Sequence, residues 1–253
     1  MFSNAIVRTP CKNMVSGITT STLGSPNYDL AIVQHERYIA TLESCGVSVT
    51  VLDKEEDYPD STFVEDTALI TPECAILTNP GALSRKGEVD SIRDALAEHY
   101  SELEEIKAPG TLDAGDVMMV ANHYYIGLSA RTNPEGAKQL IAILEAHGLC
   151  GSTVAMGSIL HLKTGLSYLE NNSLIIASGF LQEAQFRSFD QISIPDDESY
   201  AANAIWVNNK VIVAGGFPKS QAAIELAGHQ TIALNMSEFQ KLDGGLSCLS
   251  LRF

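Results

Sequence analysis

Three times along this chain, two short β-prone segments joined by a small polar turn are followed by a helical pattern. Residues 63–70 and 74–78 flank Thr71-Pro72-Glu73, 117–120 and 124–128 flank Ala121-Asn122-His123, and 204–207 and 211–214 flank Asn208-Asn209-Lys210. Connections this short close antiparallel hairpins, so an all-parallel doubly wound sheet is excluded. The helical patterns are read at 84–100, with Val89, Ile92 and Leu96 on one face, at 134–147 and at 219–227. The second carries Ala137, Leu140, Ile141 and Leu144 on one face and opens on Asn133 as N-cap with Pro134 behind it. Further strands are expected at 4–9, 47–52 and 173–177, and a helix at 29–45. The recurring unit is hairpin, helix, strand, which makes the chain an α/β protein with internal repetition. No Gly/Pro/Ser-rich linker interrupts it, so residues 1–253 are read as one domain.

Charge narrows the partners. The 253 residues hold 16 Lys+Arg against 31 Asp+Glu, a net charge of −15. Nucleic acid and anionic membrane surfaces need a basic footprint that this chain lacks, whereas an acidic field concentrates a small cation. No apolar run is long enough to span a bilayer, and residues 1–15 carry no signal-peptide pattern. Five scattered cysteines, Cys11, Cys45, Cys74, Cys150 and Cys248, form neither a disulfide framework nor a zinc motif, and a reduced, cytoplasmic protein is expected. Neither a GxGxxG turn nor a P-loop is present, so no cofactor and no metal is expected.

Five cysteines and six histidines then have to be sorted. Cys248 follows Gly244-Gly245 in a segment, 247–251, that alternates as a strand. A cysteine there is by default a small buried hydrophobe, yet it is the one thiol with paired glycines beside it to allow close approach. A thiol nucleophile needs an imidazole, and the imidazole a carboxylate to orient it. His35, His99, His123, His147 and His229 fall in helices, at their ends or in a turn, and read as surface or capping residues. His161, between Leu160 and Leu162, sits in an apolar setting where its ring must find a hydrogen bond. Acidic residues cluster at Asp113 and Asp116, and at Asp60, Glu65 and Asp66. Glu65-Asp66 breaks the β propensity of its own segment, and such conflicts mark functional positions. Asp116 reads as a turn residue. Arg85 and Arg131 both follow strands just before helices, in equivalent places of two repeats, and either suits recognition of a carboxylate.

With those residues in view, the motifs FVEDTA (63–68), GALSRKGE (81–88), TLDAGDVMMV (111–120), GLSARTNPEGA (127–137), LHLKTG (160–165), ESYAANAIWVN (198–208) and LDGGLSCLSLRF (242–253) together resemble the dimethylargininases of the guanidine-modifying, or pentein, superfamily. The resemblance runs from about residue 2 to 253. It implies a five-bladed α/β propeller of ββαβ units with pseudo-fivefold symmetry around a polar tunnel. It further implies Cys248 as nucleophile, His161 as general acid/base and Asp113 as its orienting carboxylate, in a place where some relatives have Glu. Glu65 and Asp66 would face a guanidinium, Asp60 an α-amino group, and Arg85 with Arg131 an α-carboxylate, with the carbonyls of Ile18 and Leu242 as further ligands of the substrate. The implied reaction converts methylated arginines to citrulline and an amine without metal or cofactor, and the resemblance allows a homodimer. Two alternatives stay open: an arginine deiminase releasing ammonia, and a silent binder of arginine-like ligands.

Overall fold

The computed structural model describes residues 1–156, 160–181 and 183–253. Its strands form five three-stranded sheets. In sheet two, β3 (Ala68–Ile70) and β4 (Ala75–Leu77) make the hairpin and β5 (Leu103–Glu105) adds parallel to β4. Sheet three repeats this with β6 (Val117–Val120), β7 (His123–Leu128) and β8 (Cys150–Ala155). Sheets four and five do so with β9 (Leu166–Tyr168), β10 (Ser173–Ala177) and β11 (Asp190–Ile194), and with β12 (Ile205–Val207), β13 (Lys210–Ala214) and β14 (Thr231–Leu234). Sheet one joins the two ends of the chain: β15 (Leu251–Arg252) pairs antiparallel with β1 (Asn4–Arg8), which pairs parallel with β2 (Ser48–Leu52).

A parallel third strand requires a crossover, and helices supply it in four of the sheets. These are α1 (Tyr28–Ser44), α2 (Glu88–Ala97), α3 (Pro134–Ala146) and α5 (Pro218–Leu226); α4 (Leu162–Gly165) is a single turn ahead of β9. Asn133 caps α3 as its sequence dictates, accepting from the Gly136 amide at 2.8 Å, and Asn27 caps α1 in the same way. Val89, Ile92 and Leu96 of α2 are buried with Ala75 and Leu77, and Leu140 and Leu144 of α3 with Ile126. Each such side chain contributes roughly 1.5–3 kcal/mol of burial. Sheet four departs from the ββαβ expectation: its crossover is two 3₁₀ turns, Ser178–Phe180 and Ala184–Phe186, anchored by buried Phe180 and Phe186.

Two strand expectations are corrected. Residues 63–70 are not one strand, because Val64–Thr67 form a 3₁₀ turn and only Ala68–Ile70 is extended. Ser247–Leu249 is likewise a 3₁₀ turn ahead of a short strand, Leu251–Arg252. The turn read at 208–210 is shorter than expected: Asn208 and Asn209 alone form it, both at positive φ as a tight two-residue hairpin turn requires, and Lys210 already begins β13.

These turns recur. A 3₁₀ or single-turn helix stands just ahead of the innermost strand of every sheet: Val64–Thr67 before β3, Ala114–Asp116 before β6, Leu162–Gly165 before β9, Asp196–Ala202 before β12 and Ser247–Leu249 before β15. The innermost strands surround one cavity, lined by Leu251, Ile70, Met118, Tyr168 and Trp206, one from each sheet. The turns ahead of them gather around a second space, where the chemistry collects.

Candidate active site

The turn before β3 points the Glu65 and Asp66 carboxylates inward, and both are buried. Asp113 is the residue at which the turn before β6 begins, His161 opens α4, and Cys248 lies within the turn before β15. Four of the five sheets thus each deliver a charged or nucleophilic group from the same position. One cavity is lined by Cys248, His161, Asp60, Asp66, Arg85 and Arg131, and also by Ile18 and Leu242. Glu65 lines the adjoining space with Cys248 and His161, and Asp113 lies behind the imidazole. All ten residues singled out in the sequence therefore come together.

His161 Nε2 is 3.2 Å from Asp113 Oδ2, and Asp113 Oδ1 accepts from the Gly81 amide at 2.8 Å, which fixes the carboxylate. Burial disfavours the imidazolium, but Asp66, Asp113 and Asp116 outweigh it and raise the His161 pKa to about 9. The Cys248 thiol is raised as well: burial, with Glu65 and Asp66 nearby, pushes it up to about 12. Without a ligand the pair is imidazolium and neutral thiol. The Gly245 amide donates to Cys248 Sγ at 3.3 Å. Gly115 is required here for space, since a Cβ would come within 2.7 Å of Asp66 Oδ1 and 3.0 Å of His161 Nδ1.

The two arginines differ. Arg85 is buried with its fork spent on protein: Nε and Nη2 on Glu88, Nη2 also on the Phe63 carbonyl at 2.8 Å, and Nη1 on Asp66 at 2.5 Å. Such a group has at most one donor left for a ligand. Arg131 is half-exposed, and among the described residues its guanidinium has no hydrogen-bond partner. Their loops touch, for a Cβ on Gly81 would fall 2.4 Å from the Arg131 carbonyl oxygen. Asp60 accepts from the Ile18 amide at 3.0 Å, and burial raises its carboxyl against the pull of Arg85 and Arg131. Glu65 is held by Lys163 at 2.6 Å and by the Ser247 hydroxyl at 2.7 Å. Asp66, Asp113 and His161 place oxygen and nitrogen atoms within 4.8 Å of one another, but Asp66 already spends both oxygens, on Arg85 and on the Gly115 amide, and His161 is paired with Asp113.

Several participants were not legible in the sequence. Glu88, which holds Arg85, lies three residues beyond it and carried a usable signal as an i, i+3 charge pair. Lys163 and Ser247 carried none. Asp116 does close the turn before β6, as read, but as a fully buried carboxylate, and His35, read as a surface histidine, is 2% exposed.

Comparison with known proteins places this geometry. The family model described as N,N dimethylarginine dimethylhydrolase, eukaryotic, matches residues 23–248. An N(G),N(G)-dimethylarginine dimethylaminohydrolase of Pseudomonas aeruginosa is 52% identical over the whole of both chains. The chain belongs to the dimethylarginine dimethylaminohydrolase family. A second member, from Streptomyces coelicolor, is 30% identical over 98% of this chain and 96% of its own. The crystal structure of a Cys-to-Ser variant of the Pseudomonas aeruginosa family member complexed with citrulline superposes with a TM-score of 0.99 at 51% identity, covering all of both chains. A His-to-Gly variant of a dimethylarginine dimethylaminohydrolase, as an adduct with S-methyl-L-thiocitrulline, gives 0.98 at the same identity and coverage. The N-terminal domain of the cyanobacterial arginine dihydrolase ArgZ shares the fold, with a TM-score of 0.89 at 17% identity over all of this chain and 97% of that one. The family's fold is the pentein propeller, and the five sheets here conform to it.

Proposed function

We propose that this chain hydrolyses Nω-methylated arginines to citrulline and dimethylamine or methylamine. The observation that carries the reading is the cavity that unites a thiol and an imidazole, backed by its carboxylate, with Asp60, Asp66 and an unspent arginine. A ligand matching it has a cationic head for the carboxylates and a carboxylate tail for Arg131.

The reaction follows from the protonation states. A bound guanidinium places positive charge beside Cys248, favouring thiolate, and the thiol proton leaves to solvent. The sulfur then attacks the guanidinium carbon. His161, protonated and held by Asp113 at Nε2, gives its Nδ1 proton to the departing amine as the carbon–nitrogen bond breaks, which leaves an S-alkylthiouronium on Cys248. Neutral His161 next takes one proton from water as its oxygen attacks the same carbon; as the carbon–sulfur bond breaks, the remaining hydroxyl proton passes to the departing sulfur, citrulline is released, and the thiol returns. Asp113 keeps the imidazole oriented through both steps. Asp66 and Glu65 face the guanidinium, Asp60 and the Ile18 and Leu242 carbonyls the α-amino group. Arg131 takes the α-carboxylate, with Arg85 offering its one remaining donor. No step calls on a metal or a cofactor.

Residues 1–253 serve as one catalytic domain. Five free thiols suit a reducing cytoplasm, and among the described residues no helix is long and apolar enough to cross a membrane. The net charge of −15 speaks against nucleic acid, and a homodimer is compatible with this reading. The test is to incubate the protein with dimethylarginine, monomethylarginine and arginine and to measure citrulline from each. Citrulline from the methylated substrates, with arginine much slower, is expected. Arginine turning over as fast favours a deiminase, and no citrulline from any of the three favours a silent binder.

A further inference from the structure

Asp116 has no place in that reaction, yet it is the buried carboxylate on which three segments of the site converge. Its Oδ1 accepts from the backbone amide of Leu162, the residue after His161, at 3.0 Å. Its Oδ2 accepts from the Ser129 hydroxyl at 2.6 Å. The same Ser129 oxygen accepts from the backbone amides of Arg131 at 3.0 Å and Thr132 at 3.2 Å, and the Thr132 hydroxyl accepts from the amide of Asp113 at 3.2 Å. Asp116 is 0% exposed, so its carboxylate depends on these protein donors rather than on water.

We propose that Asp116, acting through Ser129, is a positioning residue that registers the His161 and Arg131 segments against Asp113. The proposal rests on the methylarginine reading for the roles of His161 and Arg131. Donor and acceptor counting shows why a carboxylate is needed. Leu162 presents an N–H and Ser129 an O–H, so both oxygens at position 116 must accept. An amide there can satisfy only one of them. With its NH₂ toward Leu162, two donors oppose each other beside His161. With its NH₂ toward Ser129, the hydroxyl oxygen is asked to accept a third N–H and its own proton is left without an acceptor. A carboxylate that merely stabilised the fold would have no reason to divide its two oxygens between the segment that carries the acid/base group and the loop that carries the unspent arginine.

The two links have separable consequences. Asp116→Asn disturbs the start of α4 and is expected to lower kcat for dimethylarginine by about tenfold or more, since sub-ångström placement of the acid/base group governs the chemical step. Ser129→Ala frees the Arg131 amide and is expected to raise KM about fivefold or more with a smaller effect on kcat. Thermal melts and circular dichroism correct both values for folded fraction. Crystal structures of the two variants, which need no substrate, are expected to show the 3.2 Å His161–Asp113 contact opened in Asp116→Asn and the Arg131 loop shifted in Ser129→Ala. Parent turnover with both variants within about twofold in kcat and KM overturns the positioning role alone. So does an equal fall in kcat in both variants with KM unmoved, the pattern of a purely structural loss. Should the parent not turn over dimethylarginine, the substrate reading falls and the two variant structures still decide the positioning role, unmoved segments overturning it. If Asp116→Asn does not fold, Ser129→Ala carries the test.

Discussion

His161 Nε2 lies 3.2 Å from Asp113 Oδ2, and the carboxylate behind it has no exposure to solvent. Burial disfavours the imidazolium, but Asp66 first, then Asp113 and Asp116, act on the ring with little screening in so dry a place, and His161 holds its proton to a pKa of about 9.

Asp113→Asn removes that charge while keeping the shape. The His161 pKa is expected to fall toward its ordinary value, read by NMR titration of the ring, and kcat to drop by about 10²–10⁴ because the acid and its orientation are both impaired. An unchanged titration would remove Asp113 as the partner of the imidazole.

Cys248→Ser should leave citrulline binding intact and abolish turnover, since a neutral hydroxyl is nearly isosteric with the thiol but a much weaker nucleophile. Calorimetry with citrulline and a citrulline-release assay separate the two effects. Turnover within about tenfold of the parent, a barrier change of roughly 1.4 kcal/mol, would reassign the nucleophile.

Arg85 and Arg131 are expected to fail in different ways. Arg85→Ala strands Asp66 and Glu88 in the interior, and breaking a buried pair of this kind costs about 3–5 kcal/mol of stability, seen as a large fall in Tm. Arg131→Ala removes an unspent surface fork, so Tm should hold while KM for dimethylarginine rises; comparison with the decarboxylated analogue isolates the carboxylate contact. Equal discrimination between the two ligands in parent and variant would sink the role of Arg131.

Two buried histidines make stability depend on pH in opposite senses. His35 is held near a pKa of about 4 by burial, below its unfolded value of 6.5, so the unfolded chain binds the extra proton first. Its contribution is present above pH 6.5 and is lost as pH falls through 4, by up to roughly 3 kcal/mol. His161, raised to about 9, contributes fully below pH 6.5 and loses that contribution as pH rises through 9. Denaturant unfolding of the parent and of His35→Gln across pH 4–7 measures the first effect as a difference curve, in which the other groups cancel. A flat difference would show that His35 is not buried as a neutral ring.

By itself the sequence determined the repeating unit and the residue types of the site. Hairpin turns such as 208–209, the Asn133 cap of α3 and the apolar face of α2 are local consequences of neighbouring residues, so they survive without knowledge of the rest of the chain. The unusual local choices, a carboxylate pair within a β-prone run and a cysteine beside two glycines, marked positions where local preference yields to chemistry. What they could not reveal was that both lie on 3₁₀ turns, because a turn three or four residues long has too little periodicity to read and is stabilised by distant partners: Glu65 by Lys163 and Ser247, Asp66 by Arg85 and Gly115. Only the closed ring of five sheets brings these partners within hydrogen-bond reach. The same ring decides which arginine is spent on protein and which is free, and it makes the turn residue Asp116 the point where the His161 and Arg131 segments meet. Those properties depend on which donors and acceptors face one another across the centre of the fold, and pairings between residues 13 to 182 positions apart leave no local pattern in the chain.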